Sequence, residues 1–240
     1  MLTALGMDKR FSFPVFADDP SQGPPPPTAW VTWFLVGSTV AMFIAQLVVN
    51  SIHHDDLLGN ALAFSPDALD DGRYWTLLTY AWAHSVAMDG YTWLFWLHIV
   101  SNMIPLICLG PALEDMLGHV RFLGLYLGGA IASALVWYLS DNSLDPTNGI
   151  IGASGAVFAV IAGIGTAAPR ERVMVLLFFV LPIGTRMRWV ALIIVATEVV
   201  QIVFHWLPEM AHWAHLGGAA FGFLYTWFML PKGRIAPLAN

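Results

Sequence analysis

The apolar residues of this chain lie in long runs separated by shorter polar, glycine-containing or proline-containing segments. A helix needs about twenty consecutive apolar residues to cross the hydrocarbon core of a bilayer. Six runs approach that length, and we predict that each forms a membrane-spanning helix. The pattern therefore predicts an all-α integral membrane protein built as a six-helix bundle. The predicted spans cover residues 30–49, 93–111, 120–139, 150–168, 189–207 and 211–230.

Residues 50–92, between the first two spans, have a different character. They are rich in aspartate and are interrupted by Pro66, Gly72 and Gly90. Half-apolar pieces such as residues 74–82 are too short to cross a bilayer. We therefore predict interfacial amphipathic helices in a first loop on the outer side of the membrane.

One further apolar stretch, residues 173–184, is too short for a span. It is bounded by Arg172 and Arg186 and contains Pro182, so we interpret it as a re-entrant or interfacial piece. Counting it as a span would move the C-terminus to the other side of the membrane. The basic residues decide between the two topologies, because cytoplasmic loops carry an excess of Lys and Arg.

With six spans and a cytoplasmic N-terminus, only Arg73 among the ten Lys and Arg residues lies on the outer side. We therefore predict that both termini are cytoplasmic. The predicted organisation is a polar, proline-rich tail over residues 1–29, a membrane domain over 30–231 and a short tail over 232–240. The basic residues predicted on the cytoplasmic side are Lys9, Arg10, Arg121, Arg170, Arg172, Arg186, Arg188, Lys232 and Arg234.

The composition agrees with a membrane protein. Of the 240 residues, 58% are hydrophobic and 11% are charged, and the mean hydropathy is +0.67. Soluble domains are about half apolar and about a quarter charged, so a soluble globular protein is not expected. No nucleic-acid partner is expected either. Because Cys108 is the single cysteine, no disulfide can form within the chain.

Several polar residues lie inside the predicted spans, where they are costly and therefore indicate function. His98 and Asn102 are one helical turn apart near the outer end of span 2. Ser154 lies in the first turn of span 4 and His215 lies near the start of span 6, and both spans begin on the outer side. The four side chains are thus predicted at one depth, a few residues below the outer surface.

A serine and a histidine at one depth can perform acyl transfer. An imidazole within hydrogen-bond reach removes the proton of the serine hydroxyl during attack. The first turn of a helix offers free N–H groups to a developing oxyanion, and His98 and Asn102 can donate hydrogen bonds to the same atom. No Asp or Glu is expected at that depth near His215, so we predict a Ser154–His215 dyad rather than a triad.

Each of these residues also has a non-catalytic interpretation. Small residues such as those at 152–155 favour helix packing when taken alone, and Glu198 in span 5 is interpreted as structural or water-facing, as is His205. A metal site at His212 and His215 is the weakest alternative, because no nearby carboxylate completes a zinc ligand set. A transporter or proton relay would use Glu198 together with His84, His98, His205 and His215.

Five short motifs follow one another along the chain. They are a loop motif at residues 72–84, H-x-x-x-N at 98–102, E-x-x-x-G-x-x-R within 110–121, G-x-S-G at 152–155, and A-H-x-x-G with a further glycine at 214–222. In this order and topology the chain resembles the rhomboid family of intramembrane serine proteases over about residues 72–223.

The resemblance implies Ser154 as the nucleophile and His215 as the general base. It implies that His98, Asn102 and the Ser154 N–H group stabilise the oxyanion. It further implies supporting roles for Gly152 beside the nucleophile, for Phe158 as a ring stacked on the imidazole, and for Gly218 and Gly222, which let span 6 pack closely against span 4.

The implied substrates are single-span membrane proteins within the lipid bilayer, cut near the outer side where small or helix-breaking residues let the chain unwind. No cofactor and no metal are expected. The six-span form without further domains resembles prokaryotic members of the family, which implies a bacterial inner membrane.

Two features depart from the family pattern. Thr76 follows Trp75 where the family usually has Arg, and the stretch 84–98 is long. Both concern loop docking and substrate access rather than Ser154 and His215. The main alternative function is that of an inactive rhomboid-like protein that binds membrane clients. Such relatives typically lack the serine or the histidine, whereas this chain has both.

Overall fold

The structure is a computed structural model that describes residues 28–86, 92–140, 149–177, 181–206 and 211–230. The predicted tails lie outside the described residues, apart from residues 28 and 29. The described chain is mostly helical. Its elements are α1 (Trp30–His53), α2 (Leu57–Leu62), α3 (Pro66–Asp70), α4 (Thr76–Thr79), a 3-10 helix (Tyr80–Trp82), α5 (Thr92–Leu117), α6 (His119–Tyr138), α7 (Ser154–Ala167), β1 (Arg172–Leu177), β2 (Leu181–Arg186), α8 (Met187–Phe204) and α9 (His212–Met229).

Six apolar helices occur where the six spans were predicted, which confirms a helical membrane fold. Within the described residues, four of them (α1, α5, α6 and α8) are long and apolar enough to cross a membrane by length and composition. Helix α7 has only 14 residues. Helix α9 has 18 residues, but two histidines and three glycines make it less apolar. The count of six complete spans therefore stays a prediction.

The predicted interfacial helices of the first loop are short. Helix α2 has six residues and is capped by Asp56, whose carboxylate accepts the Gly59 N–H group at 2.9 Å. Helix α3 has five residues and is capped by the Ser65 hydroxyl. These are the side chains that satisfy the free N–H groups at a helix start. Thr76, the departure from the family pattern, is buried and donates its hydroxyl to the Arg73 carbonyl oxygen at 2.7 Å.

The segment interpreted as a non-spanning piece is an antiparallel hairpin. Strands β1 and β2 pair from Arg172 opposite Arg186 to Leu177 opposite Leu181. Each strand has six residues, fewer than the roughly nine that a membrane-crossing strand needs. Both strands of a two-stranded sheet are edge strands, which is why Pro182 is tolerated in this one.

The core of the molecule is α7, which packs against α5, α6, α8 and α9. Ten of its 14 residues are buried, and most of them are small or β-branched. Helix α9 approaches α7 most closely through glycine: Gly218 lies against the Gly155 carbonyl group, and Gly222 lies against the backbone of Ala159. A methyl group at either glycine would overlap that backbone. Small residues thus bring the helix of Ser154 and the helix of His215 together.

Candidate active site

Ser154 is the first residue of α7, so this helix begins four residues later than the predicted span. The residues before it, 150–153, are not helical and are hydrogen-bonded to the first loop. Phe64 and Ile150 exchange two backbone hydrogen bonds of 3.1 and 2.8 Å, and the Gly152 N–H group donates to the Tyr80 carbonyl oxygen at 2.9 Å. Gly152 has φ +120°, a conformation that favours glycine. The first loop therefore sets the position at which the helix of Ser154 starts.

Backbone donors surround the start of α7. The first hydrogen bond of the helix runs from the Val157 N–H group to the Ala153 carbonyl oxygen at 2.9 Å. The N–H groups of Ser154, Gly155 and Ala156 precede that bond and have no acceptor within the helix. Together with the positive end of the helix dipole, they favour negative charge beside the serine hydroxyl.

Ser154 and His215 are in hydrogen-bond contact, with 2.9 Å between Oγ and Nε2. His215 lies in the first turn of α9 and is buried, while Ser154 is half-buried. The ring of Phe158 stacks on the imidazole, with ring centroids 4.4 Å apart and an interplanar angle of 6°. The Ser133 hydroxyl of α6 donates to the carbonyl oxygen of Ala214, directly before His215. Stacking thus holds the ring, and the Ser133 bond holds the backbone directly before it, with the imidazole within reach of the serine proton.

A carboxylate also contacts His215, so the expectation that no Asp or Glu lies near it is wrong. Glu198 Oε2 lies 3.0 Å from His215 Nδ1, and Glu198 is only 5% exposed. The interpretation of Glu198 as water-facing is wrong as well. Glu198 is six residues, or about 9 Å, from the end of α8, and His215 is about 4.5 Å from the start of α9. The long glutamate side chain bridges that difference in depth. His205 is exposed and ends α8 with φ +52°.

His212 is a second histidine at the same carboxylate. Its Nδ1 lies 2.6 Å from Glu198 Oε2, and its Nε2 lies 3.1 Å from the Trp206 carbonyl oxygen. The sequence contained a signal for this contact, because His212 and His215 are one helical turn apart on α9. The A-H-x-x-G motif, however, matches only His215.

The argument from the sequence against a metal site also needs correction, since Glu198 supplies the carboxylate that was missing. One ligand atom each from Glu198, His212 and His215 lie within 4.8 Å of one another. Two ligands that are each about 2.0–2.1 Å from a tetrahedral zinc ion lie about 3.3 Å apart. Both imidazoles approach the same oxygen more closely, at 2.6 and 3.0 Å. These distances are those of hydrogen bonds between the three side chains.

The two predicted oxyanion residues occupy one side of the site. His98 lies against Gly152, where a methyl group would be 2.7 Å from His98 Nε2. Asn102 is buried, and its amide group donates to the His98 carbonyl oxygen at 2.8 Å. The Asn102 amide group is therefore bonded within its own helix, while the His98 ring lies against Gly152, two residues before Ser154.

His84, at the end of the first loop, is a site neighbour that was not predicted. Its Nε2 accepts the Ala153 N–H group at 3.4 Å, and its ring centroid is 5.0 Å from that of His98. The side chain of Gln46 in α1 makes two hydrogen bonds of 3.0 Å to the His84 backbone. Its amide NH₂ donates to the His84 carbonyl oxygen, and its amide oxygen accepts the His84 N–H group. Burial, and secondarily the nearby His98, lowers the pKa of His84 to about 3. His84 is thus neutral, as an acceptor of an N–H group must be.

Comparisons with known proteins agree with the geometry. The family model described as "Rhomboid domain" matches residues 71–232. Rhomboid protein 1, mitochondrial, of Saccharomyces cerevisiae is 35% identical over 138 residues, covering 56% of this chain and 38% of that protein. Presenilin-associated rhomboid-like protein A, mitochondrial, of Danio rerio is 33% identical over 129 residues, covering 54% of this chain and 33% of that protein.

A plant protein matches over a greater length. RHOMBOID-like protein 5 of Arabidopsis thaliana is 24% identical over an alignment of 265 positions that covers 93% of this chain and 78% of that protein. The mitochondrial relatives, by contrast, are matched over only 38% and 33% of their own length. The similarity to them therefore concerns only part of each of those proteins.

Proposed function

Because this chain belongs to the rhomboid family, we propose that it is an intramembrane serine endopeptidase that cleaves membrane-spanning protein substrates near the outer side of the membrane. One observation carries the proposal: Ser154 Oγ and His215 Nε2 are 2.9 Å apart. A serine hydroxyl is a weak nucleophile unless a base takes its proton, and an imidazole at this distance can do so.

In the proposed reaction, Ser154 Oγ forms a bond to the scissile carbonyl carbon while its proton passes to His215 Nε2. The oxyanion is stabilised by the N–H groups at the start of α7 and by His98, and by Asn102 once its amide turns from the His98 carbonyl. His215 then gives the proton to the leaving amine as the peptide C–N bond breaks. A water molecule, which gives a proton to the same imidazole, then attacks the ester carbonyl carbon, and His215 returns that proton to Ser154 Oγ as the ester C–O bond breaks.

The substrate and the membrane are part of the proposal. The family acts within the lipid bilayer on membrane-spanning substrates, which supports a single-span substrate here. The mitochondrial relatives lend no support to the expected bacterial inner membrane. The cytoplasmic orientation of both termini rests on the distribution of Lys and Arg residues alone.

The test compares wild-type protein with Ser154→Ala in lipid vesicles. We expect wild-type protein to take up a fluorophosphonate probe on Ser154 and to cut a single-span model substrate, and we expect the variant to do neither. If wild-type protein takes up no probe, and both proteins leave the substrate equally intact, the protease proposal fails. The client-binding alternative is then favoured, and client capture that persists in Ser154→Ala would support it.

A further inference from the structure

The proposed reaction uses Ser154 and His215 but leaves two buried polar residues beside them without a role. We propose that Glu198 and His212 are positioning residues that hold His215 as the base, so that the site works as a Ser–His–Glu triad whose carboxylate is itself held by a second histidine. This inference rests on the proposed protease function and deepens it.

The burial of Glu198 is unusual for its helix. Of the 18 residues of α8, only Met187, Ala191 and Glu198 are buried. The rest of α8 presents apolar side chains outward, including Ile193 and Val200. A carboxylate at membrane depth is costly unless it is paired. Within the described part of the chain, Glu198 is paired with the two histidines of α9, so the cost of burying its carboxylate depends on where those rings lie.

The contacts of His215 assign its protons. Nδ1 faces the carboxylate of Glu198 at 3.0 Å, and a carboxylate only accepts hydrogen bonds. Nδ1 therefore carries the proton, and the lone pair of Nε2 points to the Ser154 hydroxyl at 2.9 Å. In the other neutral tautomer Nε2 would carry a proton and could not take the one from serine. Glu198 thus selects the tautomer in which His215 is a base.

The contacts of His212 explain how Glu198 stays ionised. The Nδ1 of His212 faces the Glu198 oxygen at 2.6 Å, and its Nε2 faces the Trp206 carbonyl oxygen at 3.1 Å. Both partners are acceptors, so both nitrogens donate when His212 is an imidazolium. An imidazolium next to the carboxylate forms a pair without net charge, which offsets part of the cost of burial. Glu198 then remains an acceptor for His215.

The test measures the rate at which Ser154 reacts with a fluorophosphonate, together with kcat and KM for a single-span substrate. Glu198→Gln keeps the size of the side chain but can present an NH₂ donor to His215 Nδ1. We expect it to lower the labelling rate and kcat about 10²–10⁴-fold with little change in KM. Glu198→Asp keeps a carboxylate and should recover part of the rate. A merely structural role would not separate the two variants in this way.

A second measurement does not depend on the stability of any variant. In wild-type protein labelled with ¹⁵N-histidine, the nitrogen chemical shifts report which nitrogen of His215 carries the proton. We expect the proton on Nδ1 at neutral pH. A proton on Nε2 would overturn the triad, and so would unchanged labelling and turnover in Glu198→Gln.

The outcomes separate this inference from the function on which it rests. A wild-type protein that takes up no probe contradicts the protease proposal. A reactive wild-type protein whose rate is unaffected by Glu198→Gln contradicts only the triad. Loss of wild-type labelling on chelation of divalent metals also overturns the triad, because the three side chains would then serve as metal ligands.

Discussion

Two buried glutamates in this membrane protein resemble each other at first sight. Glu114 near the end of α5 is 1% exposed, and Glu198 of α8 is 5% exposed. Each lies close to the Nδ1 of a histidine, His119 at 2.5 Å and His212 at 2.6 Å. Their remaining partners differ, and those partners indicate different roles.

Glu114 bonds mainly to backbone and to a hydroxyl. Its oxygens accept the N–H groups of Val31 and Thr32 at 3.1 and 2.8 Å, and the Thr32 hydroxyl at 2.6 Å. These N–H groups belong to the first turn of α1, whose own N-cap residue, Ala29, provides no side-chain acceptor. Glu114 therefore caps α1 from another helix, in the place where Ser, Thr, Asp or Asn usually stands.

Glu198 bonds to imidazole rings, one of which touches the Ser154 hydroxyl. A carboxylate that accepts backbone N–H groups stabilises the fold, because those groups neither titrate nor move during a reaction. A carboxylate that accepts an imidazole N–H group also decides where the proton of that ring resides. The comparison teaches that partners, rather than burial, distinguish the two roles.

The largest expected effect is a contrast in turnover between the two glutamine variants. Per mole of folded protein, Glu198→Gln should lower kcat about 10²–10⁴-fold, whereas Glu114→Gln should keep wild-type kcat, because Glu114 contacts the start of α1 and not His215. Cleavage of a single-span substrate, normalised to folded protein, measures both. Equal losses of kcat in the two variants would refute the division of roles.

The next effect concerns stability. Glu114→Gln keeps one carbonyl oxygen and so cannot accept every hydrogen bond to α1. We expect the free energy of unfolding to fall by about 2–3 kcal/mol, since bonds to a charged acceptor are lost. A thermal melt in detergent, with proteolysis near residue 30 as a local probe, checks this. An unchanged melting temperature would mean that Glu114 does not hold α1.

A smaller contrast is expected between the two histidines that accompany the glutamates. His212→Gln should lower kcat about tenfold, or about 1.4 kcal/mol, because it removes the imidazole that lies 2.6 Å from the Glu198 carboxylate. His119→Gln should leave kcat unchanged and cost at most about 1 kcal/mol of stability, since the His119 side chain is 34% exposed. Substrate cleavage and melting of both variants test the pair. A larger loss of kcat in His119→Gln than in His212→Gln would contradict the roles assigned to the two histidines.

The smallest expected effect is the loss of stability in acid that comes from His84 beside the candidate active site. The pKa of His84 is lowered to about 3 by burial, with a smaller effect from His98, while an unfolded histidine has a pKa of about 6.5. Between these values the unfolded chain binds more protons, so the contribution of His84 to stability is lost as the pH falls below about 6.5.

The variant His84→Gln keeps an acceptor for the Ala153 N–H group but does not titrate. Its melting temperature should fall less than that of the wild type between about pH 7 and about pH 5. The matched control is Thr32→Val, which changes a residue bonded to Glu114. Its melting temperature should keep the wild-type dependence on pH. If the melting temperature of His84→Gln falls with pH as much as that of the wild type, groups other than His84 cause the loss of stability in acid.

Much of the fold follows from the sequence. The long apolar runs correctly placed the six apolar helices, and the polar character of residues 50–92 correctly predicted short helices in the first loop. The start of α7 was misplaced by four residues, because residues 150–153 are apolar but pair with the first loop. Apolar character alone does not separate a non-helical segment held by tertiary contacts from the beginning of a helix.

Some residues of the candidate site could likewise be named from the sequence, and others only from the structure. Ser154, His215 and Phe158 could be named from motifs, and the structure brings all three together. His84 and His212 were not chosen, because their roles come from contacts between elements far apart along the chain. Asn102 lies beside His98 on α5, and its part in the reaction stays a proposal.

What the sequence by itself determined is the membrane class of the protein and the placement of Ser154 and His215 near the starts of their helices, because the length of an apolar run and the position of a residue within it can be read along the chain. The tertiary structure alone decided that Glu198 meets the two histidines. Helix α8 is apolar on nearly every side, so its sequence does not determine its rotation. That rotation was decided by the packing of α8 beside α7 and α9, which turns the one carboxylate of α8 inward to the two imidazoles.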